Sequence, residues 1–255
     1  MPSGSGARPA GLQDEAAAAQ AVRRMFDSIA PRYDFLNHLL SANIDRLWWR
    51  RAAHRFRDPL ADPDAAILDV CCGTGDMTMA LLKLRPRGAR PILAADFARA
   101  MLDRGRQKFA ARKPGEPTAL ALEADALYLP LQSASLDLIV TAFGFRNLAN
   151  YDAGLREFHR VLKPGGQLGI LEFSEPGGLI GKAYALYFRH ILPVIGRLIC
   201  GKDGPYQYLP ASVGSFPAPP AMLALLEAAG YTDCAWQPYT FGIAGLYTAK
   251  RSELA

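Results

Sequence analysis

Two hydrophobic rhythms alternate along the chain. Short apolar runs recur at residues 67–70, 91–96, 119–126, 136–143 and 167–173. Between them apolar residues fall at helical spacing: Met77, Ala80, Leu81 and Leu84, then a stretch over 99–112, then Leu155, Phe158, Val161 and Leu162. Brief continuous apolar runs suit strands buried on both faces. Strands alternating with helices of about ten to fifteen residues predict an α/β fold built on a doubly wound, mostly parallel sheet with helices on both faces. Residues 219–229 are expected as a further helix closed by Gly230. Residues 231–238 and 244–250 read as two last strands, Gly242 and Gly245 interrupting the second, for seven in all. No internal repeat is visible, and no domain boundary within 66–173.

The flanking segments depart from this rhythm. Residues 1–13 are rich in Gly, Pro, Ser and Ala and are expected as a disordered tail. A helix should start near Asp14 and run through Ile29 to a stop at Pro31. Residues 14–60 are expected as an N-terminal helical cap, with the main domain over 61–255. The stretch Ala30-Pro31-Arg32-Tyr33-Asp34-Phe35-Leu36-Asn37-His38 fits a cap over a pocket and a surface turn equally well. Residues 44–51 read as a helix whose Trp48 and Trp49 serve packing more readily than chemistry. Lys163-Pro164-Gly165-Gly166 should stop the preceding helix. A helical insertion is expected at about 176–211. Within it, residues 179–200 join a broad apolar face to Arg189 and Arg197, which suits either a helix covering the sheet or one lying at a membrane interface.

Composition narrows the classes. With 255 residues, half of them hydrophobic, the chain can bury a sizeable core. A net charge of +5 permits an acidic ligand or an anionic surface, but no basic run with interleaved aromatics argues for nucleic acid. Cys71, Cys72, Cys200 and Cys234 make no C-x-x-C pair and gather no histidines, so no metal site is expected and a reducing cytoplasm fits. No apolar stretch is long enough to span a bilayer.

Candidate chemistry centres on Ile67-Leu68-Asp69-Val70-Cys71-Cys72-Gly73-Thr74-Gly75-Asp76, which reads as strand, glycine turn and helix. Such a turn brings backbone and helix N-terminus close to a nucleotide-like ligand, although an ordinary strand-to-helix turn looks the same. Asp96 ends the second run about twenty residues on, where an acid bonds ribose hydroxyls or simply caps the next helix. Asp125 and the Ala126 N–H end the third run, placed to meet an adenine edge or to serve a loop.

Five motifs occur in order: Met25-Phe26-Asp27-Ser28-Ile29-Ala30-Pro31-Arg32-Tyr33-Asp34, Asp45-Arg46-Leu47-Trp48, Cys72-Gly73-Thr74-Gly75-Asp76, Phe143-Gly144-Phe145-Arg146-Asn147 and Leu162-Lys163-Pro164-Gly165-Gly166. With them the chain resembles the C-methyltransferases of menaquinone and ubiquinone biosynthesis, from about Val22 to the C-terminus. The resemblance implies the class I methyltransferase (Rossmann-like) fold and S-adenosylmethionine as cofactor. It implies cofactor contacts from Thr74, Asp96, Asp125 and Ala126, with Asp69, Gly73 and Gly75 supporting the methionine end. An acidic turn suits a sulfonium cation better than a dinucleotide's phosphates. The substrate would be a demethylated polyprenyl quinol, demethylmenaquinol foremost and a benzoquinol as the alternative, with Tyr33, His38, Arg146 and Asn147 on the ring side. Two departures stand out: Cys71 and Cys72 occupy places where many class I enzymes carry glycine, and Ala142 replaces a serine of some relatives. The resemblance further implies a cytoplasmic protein, peripheral at the inner face of the membrane, with transient membrane contact; a homodimer stays open. The rivals are a dinucleotide-dependent oxidoreductase, disfavoured because the full G-x-G-x-x-G signature is missing, and a cofactor-binding subunit without chemistry.

Overall fold

A computed structural model describes residues 6–7, 9–12, 14–30, 43–176, 178 and 208–253. Tyr33, His38 and the segment 179–200 lie outside the described residues, as does most of 1–13. Within that last stretch the Ala7 N–H donates to the Leu148 carbonyl at 2.8 Å, and Pro9–Gly11 forms a 3-10 turn.

Seven strands form one sheet: β1 Ile67–Val70, β2 Ile92–Asp96, β3 Ala119–Glu123, β4 Leu136–Ala142, β5 Leu162–Phe173, β6 Tyr231–Tyr239 and β7 Ala244–Arg251. Their spatial order is β3-β2-β1-β4-β5-β7-β6. The first five run parallel, and β7 is antiparallel to both β5 and β6. All four residues of β1 are buried, as a central strand covered on both faces must be. The period-2 alternation assigns its side chains to two cores. Ile67, Leu138, Val140 and Leu171 face one core, with Trp48, Phe56, Leu60 and Leu81. Leu68, Ile139, Leu168 and Ile170 face the other, with Phe145, Phe158, Met222 and Tyr247.

The helices are α1 Glu15–Ile29, α2 Ile44–Arg55, α3 Arg57–Ala61, α4 Asp76–Leu82, α5 Arg99–Ala110, α6 Tyr151–Val161, α7 Tyr208–Ser215 and α8 Pro219–Ala228. The Asp14 carboxylate accepts the Ala17 N–H at 2.7 Å and so fixes the start of α1. Its Arg23 pairs with Glu123 at 2.5 Å, and Asp27 accepts the Ala100 N–H at 3.0 Å, which ties α1 across the ends of β3 and α5. No described helix is long and apolar enough to cross a membrane.

Two boundaries differ from the sequence expectation. The third strand stops at Glu123, short of 126, because its partner ends: Asp96↔Glu123 is the last register pair with β2. The fifth begins at Leu162, directly after α6, and Lys163-Pro164-Gly165-Gly166 is a bulge within it, between the pairs Leu136↔Leu162 and Leu138↔Gln167. Gly165 has φ +75°, and a Cβ on Gly166 would sit 2.8 Å from the Lys163 carbonyl oxygen; the helix ends before this stretch as expected, and the stretch itself kinks the strand that follows.

Candidate active site

The strand order reverses direction at β1, whose neighbours are β2 and β4. A crevice opens at the carboxyl ends of strands on either side of such a switch point. Here it holds a cavity open to solvent. Asp69, Cys72, Gly73, Thr74, Asp96, Asp125, Ala126 and Asn147 all line it. Its apolar wall comes from Phe26, Trp49, Phe97, Met101, Phe143 and Leu148.

The turn after β1 is strained in a way that exposes backbone. Cys71, Gly73 and Gly75 have φ of 56°, 55° and 84°. A Cβ on Gly75 would lie 2.6 Å from the Phe109 ring, so only glycine lets α4 begin against α5. The Cys72 N–H donates to the Ala95 carbonyl at 3.0 Å, which joins this turn to β2. Phe143, after β4, also has positive φ, 58°, and Gly144 presses so closely on Cys71 that an added Cβ would lie 2.4 Å from the Cys71 Cβ. Burial pushes both Cys71 and Cys72 thiols well up, so they are small packed residues and not nucleophiles.

Three carboxylates shape the polar floor. Asp96 accepts the Gly73 N–H at 2.7 Å and the Ala98 N–H at 2.8 Å. It therefore caps the approach to α5 while also lining the cavity. Burial raises its pKa to about 6 against those two donors. Asp125 accepts the Leu127 N–H at 2.9 Å, which closes a tight turn to Tyr128. Asp69 is wholly buried. Its Oδ2 accepts the Thr78 hydroxyl at 2.5 Å, and its Oδ1 has no hydrogen-bond donor. Burial, reinforced by the charges of Asp96 and Asp76, lifts its pKa to about 7. The Thr74 hydroxyl accepts from Lys108 Nζ at 3.1 Å, and Lys108 pairs with Asp76 at 2.7 Å.

On the β4–β5 side Asn147 lines the cavity and Arg146 does not. A buried guanidinium needs acceptors for its N–H groups and compensation for its charge. Arg146 takes Glu172, 2.8 Å from its Nη1, donates also to the Phe143 carbonyl and to Ser212 Oγ, and lies over the Phe173 ring. Asn147 donates to the Phe143 carbonyl at 3.4 Å, and its Oδ1 accepts the Tyr208 hydroxyl at 3.0 Å. Trp48 packs against Phe143 and Phe173 at ring separations of 5.8 and 6.1 Å, and Trp49 reaches the cavity itself. Lys108, Tyr208 and Ser212 carry no local signal in the sequence. Glu172 is visible there only as a carboxylate inside an apolar run.

The reversed seventh strand, the glycine turn at the switch point and the acids after β1 and β2 together define a class I methyltransferase. The cyclase SpnF matches with a TM-score of 0.64 at 17% identity, over 98% of this chain and 99% of that one. A SAM-dependent methyltransferase from Aquifex aeolicus matches at 0.60 and 18%, over 85% of this chain and 97% of that one. At such identities the likeness is one of fold alone.

The chain belongs to the ubiE/COQ5 methyltransferase family, whose model matches residues 14–251. It is 45% identical over 233 residues to the demethylmenaquinone methyltransferase of Deinococcus radiodurans, covering 91% of this chain and 93% of the relative. The enzyme of the same name from Thermus thermophilus is 46% identical over 228 residues, 89% of this chain and 100% of the relative. The Geobacter sulfurreducens ubiquinone/menaquinone biosynthesis C-methyltransferase UbiE is 41% identical over 236 residues, 91% and 89%. The protein is thus a methyltransferase.

Proposed function

We propose that the protein transfers a methyl group from S-adenosylmethionine to a ring carbon of a demethylated polyprenyl quinol, demethylmenaquinol in the first place. The observation that carries the cofactor half is the orphaned Asp69 Oδ1 in the cavity floor. A buried acceptor without a donor is costly unless a ligand supplies one. The α-ammonium of the methionine moiety does so and brings a positive charge to a floor holding Asp69, Asp76 and Asp96. Asp96 and Asp125 face the same cavity and suit ribose and adenine. The substrate half is supported by family membership and by relatives at 45% and 46% identity that are demethylmenaquinone methyltransferases. Methylation of a benzoquinol is the second reading, favoured by the joint name of the UbiE relative at 41%.

S-adenosylmethionine, when bound, supplies an electrophilic methyl group. The chain's own residues must align the ring carbon with it and exclude water. Phe26, Trp49, Phe143 and Leu148 provide the dry wall against which a flat ring and a greasy tail can lie. A phenolic carbon becomes a competent nucleophile as its hydroxyl loses a proton, and the oxygen then needs a donor. With its carbonyl held by Tyr208, the Asn147 amide has N–H to give that oxygen. Arg146 is a positioning residue: neutralised by Glu172, it grips the Phe143 carbonyl that Asn147 also uses. Tyr33 and His38 remain the proposed ring-side partners from the N-terminal cap.

The test is turnover. Purified protein is incubated with methyl-labelled S-adenosylmethionine and, separately, demethylmenaquinol and a demethylated benzoquinol. Label should enter the naphthoquinol ring faster. Equal or faster labelling of the benzoquinol would establish the second reading, and labelling of neither would overturn both.

A further inference from the structure

We propose that the solvent-facing side of α2, with Lys83 beside it, is the surface by which the protein docks on an anionic bilayer. Every exposed position of this helix is apolar or basic. Ile44 and Leu47 lie at its start, and Arg46, Arg50, Arg51, His54 and Arg55 follow. Its one acid, Asp45, is 4% exposed and turned inward. Arg51 stacks on the Tyr239 ring at 4.7 Å. Among the described residues no carboxylate pairs with Arg46, Arg50 or Arg55. Four arginines within three turns repel one another, and an external anionic surface relieves that repulsion.

The position of the helix gives this charge a purpose. The inner face of α2 presses Trp48 onto Phe143 and Phe173 at the carboxyl ends of β4 and β5. A groove lined by Arg46, Leu47, Arg50, His54 and Lys83 shares Trp49 and Asp76 with the catalytic cavity. The basic face therefore borders the cavity. A bilayer fits better than nucleic acid. Trp48 and Trp49 are buried and offer no stacking platform for bases, whereas exposed Ile44 and Leu47 gain by entering the headgroup–acyl boundary. The proposal rests in part on the quinol reading, since a polyprenyl substrate resides in the membrane.

Sedimentation with vesicles tests it without reference to turnover. The parent should bind phosphatidylglycerol-containing vesicles, release from them at high salt and ignore phosphatidylcholine vesicles. Each basic residue near an anionic surface contributes about fivefold to partitioning, so Arg46→Glu with Arg50→Glu should weaken binding at least ~25-fold. Leu47→Ser should weaken it less, and neither variant should shift the unfolding temperature. The double variant should methylate a short-tailed, water-soluble quinol as the parent does, and long-tailed quinol in vesicles more slowly. If the double variant sediments like the parent, or the parent binds phosphatidylcholine equally, or a single-stranded oligonucleotide binds this face as tightly, the proposal fails. Vesicle binding with loss in the double variant, but no methylation of either quinol by the parent, would leave the docking surface standing and overturn the substrate instead.

Discussion

Replacing Asp69 with Asn should make the ligand-free protein more stable and the cofactor bind worse. Asp69 is fully buried, with burial holding its pKa near 7 against an ordinary 3.8. Between those values the folded chain keeps a proton that the unfolded chain has lost. Stability from this group is therefore present in full below about pH 4, falls as the pH rises, and levels off above about pH 7. The gap, at ~1.36 kcal/mol per pH unit, comes to about 4 kcal/mol, an upper figure because the ionised site relaxes and admits water. Asparagine keeps an acceptor for the Thr78 hydroxyl and cannot ionise, so it escapes the loss. Denaturant unfolding of both proteins from pH 3 to 8 isolates the group as a difference, free of the other titrating residues. The variant should be level with the parent at the acid end and ahead by roughly 1–4 kcal/mol at pH 8. Titration calorimetry should show the reverse for S-adenosylmethionine. Losing a charge-assisted hydrogen bond costs ~1.5–3 kcal/mol, or roughly 10- to 150-fold in affinity. Binding by the parent at pH 6 should release close to one proton, read from the dependence of the heat on buffer. A stability difference that is flat in pH, or unchanged affinity in the variant, would refute the assignment of Asp69 to the ligand's cation.

Three further outcomes are expected. Arg146→Met should cost about 3–5 kcal/mol, because Glu172 is left buried without its cation, whereas Arg146→Lys should keep most of the stability and lose turnover with little change in cofactor affinity; chemical denaturation and steady-state kinetics separate the two. Tyr208→Phe should lower kcat and leave S-adenosylmethionine affinity as it was, since only the Asn147 carbonyl loses its donor; equal kcat would remove Tyr208 from the site. Gly144→Ala should destabilise the fold by roughly 1–3 kcal/mol or more, because a Cβ 2.4 Å from the Cys71 Cβ cannot be accommodated without moving one strand end from the other; an unaltered Tm would contradict this.

What the sequence made legible was local. The strand, glycine turn and helix around Asp69, and the acid at the end of the second strand, follow from patterns that fit within about thirty residues. The structure brings those residues to one cavity. What stayed hidden was set by partners remote in the chain. The end of β3 is fixed by the end of β2, and the bulge at 163–166 by the pairing of Leu136. Lys108 reaches Thr74 across 34 positions, Arg146 meets Glu172 across 26 and Tyr208 meets Asn147 across 61. No spacing rule covers such distances. The three-residue gap between Arg146 and Phe143 is short, yet only the buried carboxylate shows why the guanidinium turns there and not into the cavity.

The three most deeply buried acids at the strand ends then form a series. Burial raises the pKa of Glu172, Asp96 and Asp69 alike. Glu172 is answered by a full positive charge on Arg146 and by two backbone donors, Arg146 N–H and Phe173 N–H. Asp96 is answered by the N–H groups of Gly73 and Ala98. Asp69 is answered by Thr78 alone, through its hydroxyl and its backbone, and its Oδ1 has no partner. Compensation thus runs out at the carboxylate beneath the glycine turn, in the floor of the cavity. We propose that the partner Asp69 lacks, where Glu172 and Asp96 have theirs, arrives with the ligand.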